Sequence, residues 1–169
     1  MLLNPATDNR FSLLVLCTGN SARSIMAEAL FRQEAGGFFN VHSAGSQPTG
    51  RVNPYALEQI SVLDVDFEPR SKSWAEFGGE VAGPLDFVIT VCGNAAQEIC
   101  PCFAGSPRHI HWGLPDPAAI EGADADKRRA FAECFTTLQS RIKQLTQQIK
   151  PALGAEDIYG LMQNLGDEE

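Results

Sequence analysis

The sequence predicts a single α/β domain built on a parallel β-sheet that helices cover on both faces. Short runs that are apolar throughout alternate along the chain with segments whose apolar residues recur at helical spacing. Strands that are apolar on both faces are typical of parallel sheets enclosed by helices. A length of 169 residues, with 44% hydrophobic and 20% charged residues, suits one such domain with a sizeable core.

The first half of the chain predicts two strands, each followed by a helix. Residues 1–10 are rich in polar and turn-forming types and are expected to form a flexible lead. A buried strand is predicted over 11–16 and a helix over 21–35, which Gly36 and Gly37 end. A second strand is predicted over 39–44. Pro54 then stands where the first turn of a helix tolerates proline.

The second half predicts two more strands and one long helix. The strands are expected over 87–91 and 108–112, and the helix over 126–150. Apolar residues form a stripe along one face of this helix: Phe131, Phe135, Leu138, Ile142, Leu145 and Ile149. Pro151 ends the helix. We therefore expect a domain over 11–150 and a loosely held acidic tail over 151–169.

Composition restricts the classes of function. The net charge of −8 and the absence of a basic run argue against a nucleic-acid-binding protein. No apolar run is long enough to span a membrane, and the N-terminus does not resemble a signal peptide, so a cytoplasmic protein is expected. In that compartment the five cysteines should be reduced thiols, metal ligands or redox-active groups rather than structural disulfides.

The most informative motif is the loop of residues 17–24, called the Cys17 loop below. It follows the first predicted strand and opens the first predicted helix, so its backbone N–H groups and the helix dipole can bind a tetrahedral oxyanion. Arg23 adds a planar, permanently charged fork, and Cys17 is expected to be a nucleophilic thiolate in this positive field. The predicted oxyanion-binding residues are Thr18, Gly19, Asn20, Ser21, Ala22, Arg23 and Ser24.

Two further candidate residues follow later predicted strands. Ligands of parallel sheets bind beyond the carboxyl ends of the strands, where Cys17 and Cys92 are both expected. Asp116 precedes Pro117 in a rigid loop and can donate a proton to an oxygen that leaves the attacked centre.

Three cysteines, Cys92, Cys100 and Cys102, share one polar segment. Zinc sites usually separate paired cysteines by two to four residues, whereas one residue separates Cys100 from Cys102, and His109 and His111 do not complete a usual pattern. No metal site is predicted. A thiol relay fits better, because one thiolate can attack the sulfur of a modified Cys17 and another can then resolve the product. The remaining cysteine, Cys134, lies beside the apolar stripe and is expected to be a buried structural thiol.

With these motifs in view, the chain resembles the thioredoxin-coupled arsenate reductases of the low-molecular-weight protein tyrosine phosphatase fold. The resemblance runs from about residue 11 to residue 150. It rests on the Cys17 loop with Met26-Ala27-Glu28-Ala29 behind it, and on Ser43-Ala44-Gly45, Val52-Asn53-Pro54, Val88 to Cys92, and His111-Trp112-Gly113 ahead of Asp116-Pro117-Ala118. It implies a four-stranded parallel sheet flanked by helices, a phosphate-binding loop after the first strand, and reduction of arsenate to arsenite in arsenic detoxification.

The resemblance also implies roles for individual residues. Cys17 would attack arsenate held by Arg23 and the loop amides, Ser24 would help to hold the thiolate, and Asp116 would be the general acid. Cys92 would attack the arsenylated Cys17, releasing arsenite. Cys100 would then resolve the Cys17–Cys92 disulfide, and thioredoxin would reduce the resulting Cys92–Cys100 pair. No tightly bound cofactor is implied.

The chain departs from this family in three places. Many relatives have a second cysteine in the loop, where this chain has Ala22. That second cysteine does not belong to the relay. The gap from Cys92 to Cys100 is one residue longer than usual, so Cys102 is an alternative resolving thiol. Some relatives bind potassium near the loop, and Asn20, Glu28 and Ser43 match that pattern, but the expected Asp near Ser73 is replaced, and potassium is not predicted.

Two other functions remain open from the sequence. A protein tyrosine phosphatase would use the same loop and general acid, but it usually carries tyrosines after the Asp-Pro pair, where this chain has Ala118-Ala119-Ile120. A non-enzymatic thiol switch would react once and stop. The sequence also leaves glutaredoxin or a small thiol as an alternative reductant, and phosphate or sulfate as competing anions.

Overall fold

The computed structural model describes residues 9–78, 83–92 and 103–167. Its centre is a four-stranded sheet in the order β2-β1-β3-β4, with every neighbouring pair parallel. The strands are β1 (Phe11–Cys17), β2 (Phe39–Gly45), β3 (Phe87–Thr90) and β4 (Arg108–His111). The predicted α/β fold with a four-stranded parallel sheet is confirmed, and each predicted strand is present to within one residue.

The register of the sheet places the functional segments at one edge. Cys17, the last residue of β1, pairs with Gly45, the last residue of β2. On the other side of β1, Leu16 pairs with Thr90, the last residue of β3. Because the strands are parallel, the chain leaves β1, β2 and β3 at the same edge of the sheet. The described residues directly after these strands, Ser46 and Cys92 among them, therefore lie at the edge that carries Cys17.

Four helices are described. They are α1 (Arg23–Ala35), α2 (Pro54–Ile60), α3 (Asp124–Gln148) and α4 (Ala155–Asp167). Asn53 caps α2 by accepting a hydrogen bond from the N–H of Tyr55, and Pro54 occupies the first turn as predicted. The stripe of α3 is buried, as its spacing predicts, and packs with α1 and the odd-numbered residues of β1 into the larger core.

The opposite face of the sheet carries a smaller core. Leu14 and Leu16 of β1 point to this side, because successive side chains of a strand alternate between faces. Ala44, Leu85, Val88 and Phe103 complete the cluster, and the 3₁₀ turn Trp74–Phe77 packs against it. Both faces of β1 are therefore buried over residues 13–17, which explains the uninterrupted apolar run over 13–16.

The prediction of a loosely held tail is wrong for residues 155–167. This segment forms α4 and buries Ile158, Met162 and Leu165 in the larger core. The indole N–H of Trp112 donates to the carbonyl of Met162 at 2.8 Å, and Trp112 itself is fully buried. The acidic residues cover only the outer face of an amphipathic helix, so a high acidic content did not mean disorder here.

Within the residues described, no helix is both long and apolar enough to cross a membrane.

Candidate active site

The Cys17 loop is held from outside through its carbonyl groups. The carbonyls of Cys17, Thr18 and Gly19 accept hydrogen bonds from the backbone N–H groups of residues 46, 47 and 49, at 3.3, 2.9 and 3.0 Å. The carbonyl of Ser21 accepts from the N–H of Asn53 at 2.8 Å. The loop that follows β2 thus binds the outward side of the Cys17 loop.

These hydrogen bonds to the loop carbonyls determine where the N–H groups of the Cys17 loop point. In a trans peptide the N–H lies opposite the preceding carbonyl. The N–H groups of residues 18, 19, 20 and 22 therefore face away from the loop that follows β2. The N–H of Asn20 does so and donates to Cys17 Sγ at 3.1 Å. A set of N–H groups arranged in this way can bind an anion, and the oxyanion-binding role of the loop stays a prediction.

The close approach of β2 depends on a glycine. A Cβ at Gly45 would overlap the carbonyl oxygen of Thr18 and lie 3.0 Å from the backbone nitrogen of Asn20. These neighbours are backbone atoms of the Cys17 loop and cannot move aside without reshaping it. Gly45 is therefore required by the contact between β2 and the loop.

Asn20 is the structural centre of the loop. It is fully buried and adopts a left-handed backbone conformation, with φ of 46°. Its Oδ1 accepts from the backbone N–H of Lys72 at 2.9 Å, so its Nδ2 must be the donor end of the amide. Nδ2 donates to Ser24 Oγ at 2.7 Å and to Ser43 Oγ at 3.0 Å, and Ser43 donates in turn to Glu28 Oε1 at 2.6 Å.

This network sets the direction of the hydrogen bond to the nucleophile. Ser24 Oγ accepts from Asn20 and lies 2.9 Å from Cys17 Sγ. Because the amide supplies the hydrogen in the first contact, the hydroxyl hydrogen of Ser24 is available to Cys17. Ser24 is thereby positioned to donate to a Cys17 thiolate and to stabilise its charge.

Burial and hydrogen bonding act on Cys17 in opposite directions. Cys17 is only 4% exposed, and this burial raises the pKa of its thiol above the ordinary value, while the Ser24 hydroxyl and the N–H groups of Ser24 and Asn20 lower it. Burial has the larger effect. The hydrogen bonds to Cys17 favour the thiolate, as expected from the sequence. The pKa of the thiol is nevertheless raised, which the sequence did not predict.

Arg23 connects the Cys17 loop to the loop that carries Asp116. Its Nη1 donates to the carbonyl of Leu114 at 2.9 Å, and its Nη2 lies 3.7 Å from Asp116 Oδ2. Asp116 Oδ1 accepts from the N–H of Ala118 at 3.0 Å and caps the 3₁₀ turn Pro117–Ala119. The structure therefore brings the predicted cation, carboxyl group and nucleophile to the same edge of the sheet.

A second buried thiol lies against the Cys17 loop. Cys92 follows β3, is 4% exposed, and has its Sγ 3.5 Å from Thr18 Oγ1. Neither Cys17 nor Cys92 is disulfide-bonded. The expectation that Cys17 and Cys92 share one edge of the sheet is confirmed.

Of the other three cysteines, only Cys134 lies in the part of the chain that the structure describes. Cys100 and Cys102 lie outside the described residues, so their predicted roles stay predictions. Cys134 is 7% exposed on α3, and burial raises the pKa of its thiol to about 11. This agrees with the expectation of a buried structural thiol.

Sequence reasoning missed two residues at this edge. Lys72 contacts the network below the Cys17 loop, and Arg51 lines a cavity of about 380 Å³ beside Ser21. Lys72 lies 52 residues from Asn20 in sequence, and no motif signals the contact. The sequence did contain one indication that Arg51 lies near the site, because this residue adjoins the Val52-Asn53-Pro54 motif.

In the described part of the chain, no group of three or more His, Cys, Asp or Glu side chains is arranged to hold a metal ion. The Nδ1 atom of His111 forms a hydrogen bond with Thr90 Oγ1 at 2.8 Å.

A four-stranded parallel sheet with a cysteine–arginine oxyanion loop after its first strand defines a class of enzymes that attack oxyanions through a thiol. The sequence profile of the low molecular weight phosphotyrosine protein phosphatases matches residues 12–154. The chain belongs to this family.

Within the family, similar curated proteins include several that are named arsenate reductase. The protein from Halalkalibacterium halodurans is 34% identical over 139 residues, which cover 82% of this chain and 97% of the relative. That from Bacillus subtilis is 32% identical over 132 residues, covering 78% and 92% of the two chains.

Solved structures agree with these similarities. The arsenate reductase from Archaeoglobus fulgidus has a TM-score of 0.58 and 25% identity, with 80% of this chain and 99% of that chain covered. A thioredoxin-dependent arsenate reductase from Corynebacterium glutamicum has a TM-score of 0.59 and 28% identity, with coverage of 83% and 62%.

Proposed function

We propose that this protein reduces arsenate to arsenite and thereby contributes to arsenic detoxification. The observation that carries the proposal is the second buried thiol, Cys92, which contacts Thr18 of the Cys17 loop. Hydrolysis of a phosphoryl enzyme needs no second thiol, whereas reduction of an arsenyl adduct does. The arsenate reductases among its relatives support the same function.

The first step is capture and attack. The loop amides and Arg23 hold three oxygens of arsenate, and the Cys17 thiolate attacks arsenic. An oxygen leaves as water, with Asp116 as the proton donor, and a Cys17–arsenic bond replaces the arsenic–oxygen bond. Ser24 assists by donating to the sulfur until the bond forms.

The second step transfers electrons. The Cys92 thiolate attacks the sulfur of Cys17, and the sulfur–arsenic bond breaks with its electron pair going to arsenic. Arsenic(V) becomes arsenic(III) and leaves as arsenite, while two thiols become one disulfide. Cys100, or alternatively Cys102, then attacks Cys92, restores the Cys17 thiolate and leaves a disulfide for an external reductant.

Thioredoxin is the reductant we propose, since a relative of this fold is thioredoxin-dependent. Phosphate and sulfate should compete with arsenate, because the cradle recognises a tetrahedral anion rather than arsenic itself. Turnover requires a compartment that keeps thiols reduced, and the cytoplasm is the one we propose.

The deciding experiment is arsenate-dependent consumption of NADPH with thioredoxin and thioredoxin reductase. Cys17→Ser and Cys92→Ser should abolish multiple turnover, and only one of Cys100→Ser and Cys102→Ser should do so. Cys134→Ser is the matched control, because it removes a buried thiol that the relay does not use, and it should retain turnover. Full turnover by Cys92→Ser would exclude the relay.

The same samples distinguish the alternatives. A phosphatase would hydrolyse p-nitrophenyl phosphate rapidly with Cys92→Ser unaffected and would not consume NADPH with arsenate. A thiol switch would consume one equivalent of reductant and stop. Replacing thioredoxin by glutaredoxin and glutathione identifies the electron donor.

A further inference from the structure

Lys72 extends a nearly buried ammonium group toward the network beneath the Cys17 loop. Its side chain is only 8% exposed. Its Nζ donates to the carbonyl of Arg70 at 2.8 Å and lies 3.5 Å from Ser43 Oγ and 3.8 Å from Glu28 Oε1. The backbone N–H of the same residue holds the amide of Asn20.

The charge that faces this ammonium is the buried carboxylate of Glu28. Glu28 is 2% exposed, and its Oε1 accepts from Ser43 at 2.6 Å. Its Oε2 accepts from Nε and Nη2 of Arg32 at 3.0 and 2.8 Å. A buried carboxylate must be paired, and here Arg32 pairs one oxygen while Lys72 faces the other.

The potassium-binding pattern of some relatives does not fit this arrangement. Asn20, Glu28 and Ser43 match that pattern in sequence, but the Lys72 ammonium lies against both Glu28 and Ser43. A metal cation on those oxygens would stand next to a like charge in a buried environment, where repulsion is costly.

We propose that the Lys72 ammonium takes the place of a monovalent cation beneath the Cys17 loop. It balances Glu28, keeps Ser43 and Asn20 in place, and so holds Ser24 in position to donate to Cys17. Lys72 is therefore a positioning residue, and it makes the site independent of added potassium. Only the activity measurement below rests on the proposed function.

The wild-type protein gives the first test without any substitution. Potassium chloride is compared with sodium chloride at equal ionic strength. The melting temperature, the rate at which iodoacetamide alkylates Cys17 (followed by peptide mass spectrometry) and the rate of arsenate reduction should be the same in both salts. A clear increase of either of the first two in potassium would overturn the proposal, even if the protein did not reduce arsenate.

The second test opens the cation position. Lys72→Ala removes the ammonium and leaves room against Glu28 and Ser43. In sodium chloride we expect Cys17 to react about threefold to tenfold more slowly, as for a thiol pKa raised by up to about one unit. Potassium should restore part of this loss and raise the melting temperature, whereas sodium should not. Lys72→Arg keeps the charge and should resemble the wild type in sodium.

Matched variants keep the test decisive. Lys143→Ala removes an exposed lysine from α3 and should change neither measurement. If Lys72→Ala does not fold, Lys72→Gln supplies the uncharged comparison. Wild-type reactivity of the uncharged variant in sodium, or a loss that potassium does not relieve, would each overturn the assignment.

Discussion

The backbone N–H of Lys72 donates to Oδ1 of Asn20 at 2.9 Å, and this contact orients the amide beneath the nucleophile. With Oδ1 occupied, the two hydrogens of Nδ2 go to Ser24 and Ser43. The backbone of one loop therefore determines the donor direction of a serine on α1, and through it the electrostatics of Cys17.

Ser24→Ala should raise the pKa of the Cys17 thiol further, because it removes the hydroxyl that donates to sulfur. A rise of about one unit would make alkylation by iodoacetamide roughly tenfold slower at neutral pH. The rate of alkylation measured across a pH series checks this. Ser140→Ala, on the exposed side of α3, is the control and should leave the profile unchanged. An unchanged profile in Ser24→Ala would mean that Ser24 does not donate to Cys17.

Gly45→Ala should damage the oxyanion cradle. The added Cβ would overlap the Thr18 carbonyl and press on the Asn20 backbone, so the loop must shift. We expect a loss of about 1–3 kcal/mol in the free energy of unfolding, typical of overpacking, and weaker binding of phosphate. Denaturant unfolding and calorimetric titration with phosphate measure the two effects. Gly37→Ala is the control, because a Cβ there has nothing within 4 Å, and normal phosphate binding by Gly45→Ala would contradict the close contact.

The sheet and the Cys17 loop were predictable because their signals are local. An apolar run followed by Cys17, the turn residues and Arg23 specifies a strand, a tight loop and a helix within about 25 residues of sequence. Cys92 was also placed correctly beside the loop, because ligands of parallel sheets bind beyond the carboxyl ends of the strands and both cysteines follow a predicted strand. The contribution of Lys72 was not predictable, since its contact with Asn20 spans 52 residues and depends on two irregular loops.

The error at the C-terminus has a different cause. Ile158, Met162 and Leu165 repeat the spacing of four and three that predicted α3, so the signal for α4 was present. The surrounding acidic residues and Pro151 favoured a solvated tail instead. Net charge reports on the exposed face of such a helix and does not test whether the apolar face has a partner.

Met162→Ala should destabilise the whole domain, because Met162 is fully buried and its segment binds the Trp112 indole. We expect the free energy of unfolding to fall by about 2–5 kcal/mol, as for other large-to-small core substitutions. Chemical denaturation with Trp fluorescence measures the change. Gln163→Ala, one position along on the exposed face, should be close to neutral. A neutral Met162→Ala would show that α4 is dispensable for the core.

Arg51→Gln should slow the capture of arsenate without slowing the chemistry. The protein carries a net charge of −8, which repels an anionic substrate, and Arg51 places an exposed cation on the cavity beside Ser21 of the Cys17 loop. Removing that charge should lower kcat/KM by about threefold at low ionic strength and leave kcat unchanged. The electrostatic field of Arg51 affects how fast arsenate reaches the protein and not how fast the bound arsenate reacts. The effect should fade above physiological salt, where screening shortens the reach of the charge.

Arg10→Gln is the matched control for this experiment. It makes the same change in net charge, but Arg10 precedes β1 and so lies at the opposite edge of the sheet from the Cys17 loop. If both variants lower kcat/KM equally, the net charge of the protein and not its placement governs capture. If Arg51→Gln lowers kcat at every salt concentration, Arg51 contacts the reacting anion directly instead of guiding it to the loop.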